Sequence, residues 1–106
     1  LDEECAARLW QEMGARYKRN KAWDQAFSMW DVWAERQSLA VEPLVERAKY
    51  YEWTSKDLDA ALVETDAALR RAERRPYGAK RTDVLAELQH RKARLERKLE
   101  KRRSEK

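Results

Sequence analysis

Trp10-Gln11-Glu12-Met13-Gly14-Ala15-Arg16-Tyr17 and, nine residues further on, Ala26-Phe27-Ser28-Met29-Trp30 decide the fold. In the first stretch Trp10, Met13, Gly14 and Tyr17 recur at the three- and four-residue spacing that lines one side of an α-helix. In the second, Ala26 and Trp30 share a side, with Phe27, Met29 and Trp33 beside them. Gly14 and Ala26 are small where two paired helices cross, so the backbones can approach closely. Trp10, Tyr17 and Trp30 then fill the space on either side. The few residues between the two stretches leave room only for a turn, which makes the pair an antiparallel hairpin.

The hairpin recurs. Gly14-x-x-Tyr17 matches Ala48-x-x-Tyr51 at an offset of 34 residues, and Ala26 matches Ala61 at an offset of 35. The second unit is the more degenerate: its turn is one residue longer, and Thr65 stands where an aromatic is expected. Helical hairpins recurring at about 34 residues are the mark of a tetratricopeptide-type array, and the chain resembles one. Five helices are expected, over about residues 3–19, 23–37, 43–53, 57–74 and 82–103. Pro43 opens the third, because first-turn N–H groups have no helical partner. Thr54 or Ser55 is expected to cap the fourth. Pro76-Tyr77-Gly78 interrupts the pattern, and Thr82 or Asp83 is expected to cap the fifth. The resulting architecture is all-α: a right-handed α-α superhelix of two tetratricopeptide-like hairpins (about 3–37 and 43–74) closed by a long capping helix (about 82–103). Two repeats are fewer than the three usually needed, so the last helix must cover the open end.

Composition agrees with a helical class. Isoleucine is absent, only two glycines and two prolines occur among 106 residues, and Ala, Leu, Glu, Lys and Arg dominate. Five Trp and four Tyr separate the chain from disordered sequences of similar charge content. The length suits one domain. A lone cysteine, Cys5, excludes an internal disulfide and is compatible with the cytoplasm. No apolar run approaches the roughly 18 residues of a membrane span, so no membrane partner is expected. The chain begins at Leu1, inside a helical pattern, and the expectation is a fragment of a longer protein.

The second half also resembles the C-terminal region of YprB-type bacterial proteins, predicted ribonuclease-H-like exonucleases. The matching stretches are Pro43-Leu44-Val45-Glu46-Arg47-Ala48-Lys49-Tyr50-Tyr51-Glu52, Lys56-Asp57-Leu58-Asp59-Ala60-Ala61-Leu62, and Leu88-Gln89-His90-Arg91 on to Leu95-Glu96-Arg97-Lys98-Leu99. The resemblance spans about residues 30–103. It implies a non-catalytic helical arm following an acidic-residue nuclease domain, and no residue of this chain corresponds to that domain.

No enzyme, cofactor or metal site is expected. His90 and Cys5 are single and far apart, no second His or Cys completes a ligand set, and no Gly-rich loop is present to hold a phosphate. Acids and bases alternate along the helices as on a solvated surface. A scaffold that binds a protein or peptide segment is therefore the first expectation. Its surface would lie opposite the packing stripe, where the first helix offers Arg8, Gln11, Ala15 and Arg19 and the third Glu42, Val45, Lys49 and Trp53. This mixed, mildly basic surface suits an acidic or C-terminal peptide, although an ordinary wet surface would look the same. Trp53 either joins it or covers the start of the next helix.

The alternative lies at the C-terminal end. Residues 70–106 hold 15 basic and 6 acidic residues, although the whole chain is only +4. Arg91, Arg94, Arg97, Lys98 and Lys101 would make a nonspecific phosphate-contacting arm for nucleic acid, without interleaved exposed aromatics. A plain capping helix with dipole-complementing cations fits the same residues. A helix-pairing seam through Leu88, Leu95 and Leu99 is a third option, interrupted by Lys92.

Overall fold

A computed structural model describes residues 2–76 and 78–105, with Ala79 by its backbone alone. Leu1, the expected start of the fragment, and Tyr77, of the expected break before the last helix, lie outside them. Most of the described residues are helical, and none lies in a strand. The elements run α1 (Glu3–Arg19), α2 (Trp23–Arg36), α3 (Glu42–Lys49), a π-helical turn (Tyr50–Thr54), α4 (Leu58–Glu73) and α5 (Ala79–Ser104). Helix α1 packs on α2, α3 on α4, and α5 on α4, while α2 joins the two hairpins through α3. The molecule measures 51 × 36 × 18 Å, a slab about two helices thick.

The small residues expected at the helix crossings lie inside the fold. Gly14, Ala26, Ala48 and Ala61 are all buried. A Cβ added to Gly14 would lie 2.7 Å from Trp30 Nε1, so the indole occupies the space a side chain would need. Trp30 and Trp33 are buried as expected, whereas Trp10 and Tyr17 are only half-buried, because α2 is the one helix among the described residues that packs closely on α1. Between the hairpins Phe27 meets Tyr50 with ring centroids 5.0 Å apart and Tyr51 at 5.7 Å, and Trp23 meets Tyr50 at 5.0 Å. These edge and tilted arrangements are favourable ring geometries.

The two turns share one construction. Lys21 and Lys56, 35 residues apart, both take a left-handed backbone, at φ 57° and 60°. Ala22 N donates to Tyr17 O at 2.8 Å, and Asp57 N donates to Tyr51 O at 2.7 Å. The second bond spans one residue more than the first, which places the extra residue between Tyr51 and Asp57. Helix three reaches its expected end near Trp53, but its last turn widens to π geometry, with Ser55 N donating to Tyr50 O.

Two capping expectations are corrected. Asp57, not Thr54 or Ser55, caps α4, its carboxylate accepting from Ala60 N at 3.0 Å. Thr54 belongs to the widened turn, and Ser55 is followed by the left-handed Lys56, so neither can sit at the helix start. Helix α5 begins at Ala79 after Gly78, a turn earlier than Thr82 or Asp83. Thr82 instead lies within the first turn and bonds its hydroxyl back to Gly78 O.

Helix α5 closes the open side of the second hairpin. Leu88 joins Ala34, Val41, Leu44, Ala68, Leu69 and Ala72 in one core cluster, and Leu95 joins Leu58 and Ala61 in a second, with Leu99 alongside. Lys92 pairs with Asp66 of α4 at 3.1 Å. The leucines considered for helix pairing are thus spent within the chain. Among the described residues no helix is long and apolar enough to cross a membrane.

Candidate functional site

Two clefts open where α1 and α3 diverge over the tryptophans of α2. The larger, about 570 Å³, has Trp23, Trp30 and Trp33 as its floor. Gln11, Ala15, Lys18 and Arg19 of α1 and the adjoining Lys21 form one wall, with Glu42 and Glu46 of α3 opposite. A smaller cleft of about 130 Å³ shares Lys18, Trp23, Trp30 and Glu46 and adds Lys49, Tyr50, Trp53 and Thr54. The floor is formed because Trp30 lies across Gly14 and cannot retreat further into the hairpin.

Charge in the clefts is unevenly satisfied. Glu46 accepts from Lys18 Nζ at 3.0 Å and Lys49 Nζ at 3.4 Å, and Glu42 pairs with Arg75 at 3.1 Å. Among the described residues Arg19 and Lys21 have no ion-pair partner. The cleft therefore presents paired acids on the α3 side and two free cations on the α1 side.

Of the residues expected to bind a partner, Gln11 and Arg19 meet in the larger cleft, and Lys49 and Trp53 in the smaller. Arg8 is exposed outside both linings. Val45 turns away, packing on the core beneath α5. Sequence reasoning missed Lys18 and Glu46, which link the two helices. The pairing of Glu46 with Lys49 at three-residue spacing was a signal for the second.

A separate ionic cluster forms around Glu52, in the widened turn. Its side chain is fully buried, and its two oxygens accept from Arg91, Arg94 and Lys98 at 2.7–3.2 Å. Burial alone would raise the Glu52 carboxyl pKa. The hydrogen bonds and charges of Arg94 and Lys98 outweigh it and hold the group below its usual value. The Glu52 bond raises Arg94 in return, while burial and the neighbouring Arg94 lower Arg91. Three of the five cations expected to contact nucleic acid are thus fastened to one carboxylate, while Arg97 and Lys101 are exposed. An acid among aromatics in Tyr50-Tyr51-Glu52-Trp53, in a chain with so basic an end, was the available signal.

Beside this cluster Trp53 stands 54% exposed. Lys98 Nζ lies 3.9 Å from its ring centroid, with Arg94 Cζ at 5.7 Å and Lys56 Nζ at 5.8 Å. Trp53 thus borders the small cleft on one side and the basic side of α5 on the other.

Other ions, partly buried or exposed, tie the helices together. Arg47 links Asp31 of α2 to Glu64 of α4. Arg71 Nη1 donates to the carbonyls of Ala34, Gln37 and Ala40, satisfying the end of α2 and the following turn. Compared with known proteins, the chain matches no family model, no curated protein and no solved structure.

Proposed function

We propose that the chain is a non-catalytic, tetratricopeptide-like scaffold that docks an acidic protein or peptide segment in the clefts between α1 and α3. The observation that carries this reading is the aromatic floor of Trp23, Trp30 and Trp33 beneath a rim with two unpaired cations, Arg19 and Lys21. An apolar side chain of the segment would lie on the half-buried Trp23 and the edges of Trp30 and Trp33, and a carboxylate beside it would meet Arg19 and Lys21. The acids opposite are already neutralised by Lys18, Lys49 and Arg75, so they offer little repulsion. The resemblance of residues 30–103 supplies the context in which we place this scaffold: the accessory arm of a ribonuclease-H-like exonuclease in the cytoplasm. Cys5, a free exposed thiol, is compatible with that compartment.

An array of acidic peptides, followed by titration of its best binders against the tryptophan fluorescence of the chain, tests the reading. Arg19→Gln with Lys21→Gln should weaken such binding about tenfold with only a small change in thermal unfolding, because both residues are exposed and without an ion-pair partner among the described residues. Equal affinity of the variant would remove the cleft as the docking site.

A further inference from the structure

We infer that Trp53, which also borders the smaller cleft, and the basic side of α5 form a binding site for single-stranded nucleic acid that extends away from that cleft along α5. At about 100° per residue, Arg94, Arg97, Lys98, Lys101 and Arg102 fall on one side of α5, while Glu96 and Glu100 fall on another. Cations therefore recur turn by turn, about 5.4 Å apart along the axis, which suits a regularly spaced polyanion better than a single anion. Glu52 does not cancel this charge. It is one carboxylate holding three cations, so two positive charges remain in excess, and the Arg94 and Lys98 side chains are still 29% and 35% exposed.

The last turns carry the patch further. Lys101 and Arg102 line a shallow recess with Lys56 and Lys98, in which Glu105 is the exposed acid.

The exposed indole selects the class of polyanion. More than half of the Trp53 surface meets solvent, and the Lys98 ammonium lies over its ring. An aromatic ring among cations is the arrangement that stacks an unpaired base while its neighbouring phosphates are neutralised. A duplex keeps its bases stacked internally and would use the cations alone. The widened turn creates the juxtaposition, because it carries Trp53 next to Glu52, and Glu52 draws Arg94 and Lys98 to the same place.

The experiment titrates the full chain with fluorescent oligo(U) and oligo(dT) of about 12 nucleotides, and with a duplex of equal length, over a salt series starting near ~50 mM. Single strands should bind at low salt and be released steeply as salt rises. Binding of either sugar supports the site, and the ratio of the two says which polymer is preferred. Trp53→Leu should weaken single-strand binding about 5- to 100-fold and leave duplex binding unchanged, whereas Trp53→Tyr should retain most of it. Lys101→Ala with Arg102→Ala should flatten the salt slope by about 0.7 for each phosphate no longer neutralised. Absence of binding at low salt would overturn the proposal, as would a correctly folded Trp53→Leu that binds like the parent, or a preference for phosphatidylserine vesicles over oligonucleotides. Should Trp53→Leu unfold, photo-crosslinking of bromouridine-containing oligo(U) to the parent chain decides: attachment at Trp53 supports the site, and attachment elsewhere overturns it.

Discussion

In the first hairpin the indole of Trp30 lies across Gly14, so that a single methyl at residue 14 would collide with it. Thirty-five residues later, at the matching place in the second hairpin, Thr65 is buried and donates its hydroxyl to Ala61 O within its own helix at 2.8 Å. One pair of helices is held by a large ring over a bare backbone. The other is held by alanines and leucines, with a third helix laid over them. The turns differ in the same sense: the first closes across five residues and the second across six, and the longer one widens into the π-helical turn that carries Glu52. A one-residue difference in turn length thus accompanies a change of adhesive, from a ring over a bare backbone to an alanine–leucine core whose turn is tied to α5 through Glu52. The first hairpin is left with an open cleft over its ring floor, while the second is covered.

The contrast breaks first at Trp30. Trp30→Ala should cost about 3–5 kcal/mol in denaturant unfolding, and Trp10→Ala, at a half-exposed position, distinctly less. Equal losses at the two positions would mean that the ring crossing at Gly14 does not hold the first hairpin.

In the second hairpin the corresponding test is Glu52→Gln. Removing one partner from a buried ionic cluster costs about 3 kcal/mol, near the lower end of such values because the three cations reach solvent. Hydrogen exchange should show the loss concentrated in α5 and the widened turn. The folded-state pKa of Glu52 is depressed, so its contribution is fully present above the ordinary carboxylate range and disappears as pH falls through the lower folded value. Denaturation midpoints followed downward from neutral pH should therefore fall more steeply for the parent chain than for Glu52→Gln.

A smaller effect sharpens the comparison of the turns. Ala22 and Asp57 occupy equivalent backbone positions, with φ/ψ of −83°/71° and −94°/87°, yet only Asp57 has a side chain that caps. Asp57→Ala should lose about 1 kcal/mol. Ala22→Asp should gain up to a similar amount, read as a rise in the thermal midpoint. A loss on Ala22→Asp would show that the two turns are not equivalent.

Much of this architecture was legible in the chain itself. Spacing of Trp10, Met13, Gly14 and Tyr17 located α1, the offsets of 34 and 35 residues located the second hairpin, and the leucines of the last helix located its packing side. Periodicity reads such features because a helix turns by a nearly constant angle per residue. Caps were less legible: Thr54, Ser55, Asp57, Thr82 and Asp83 all have capping chemistry, and only the backbone decides which one stands at a helix start. Of the cleft linings, Gln11, Ala15, Arg19 and Lys49 were readable, whereas Arg8 lies outside them, Lys18 was missed, and Val45 was misplaced because a short helix exposes two flanks and only its neighbours choose between them.

Residue order alone establishes that the chain is helical, where its small residues permit helices to cross, and that residues 70–106 are strongly basic. Local spacing and summed charge are properties of the chain alone. Tertiary structure decided that the extra residue of the second turn goes into a π-helical turn, that Glu52 draws Arg91, Arg94 and Lys98 onto one carboxylate, and that Trp53 stands exposed among them. These are pairings between residues about 40 positions apart, and their geometry comes into being only when α5 settles on α4.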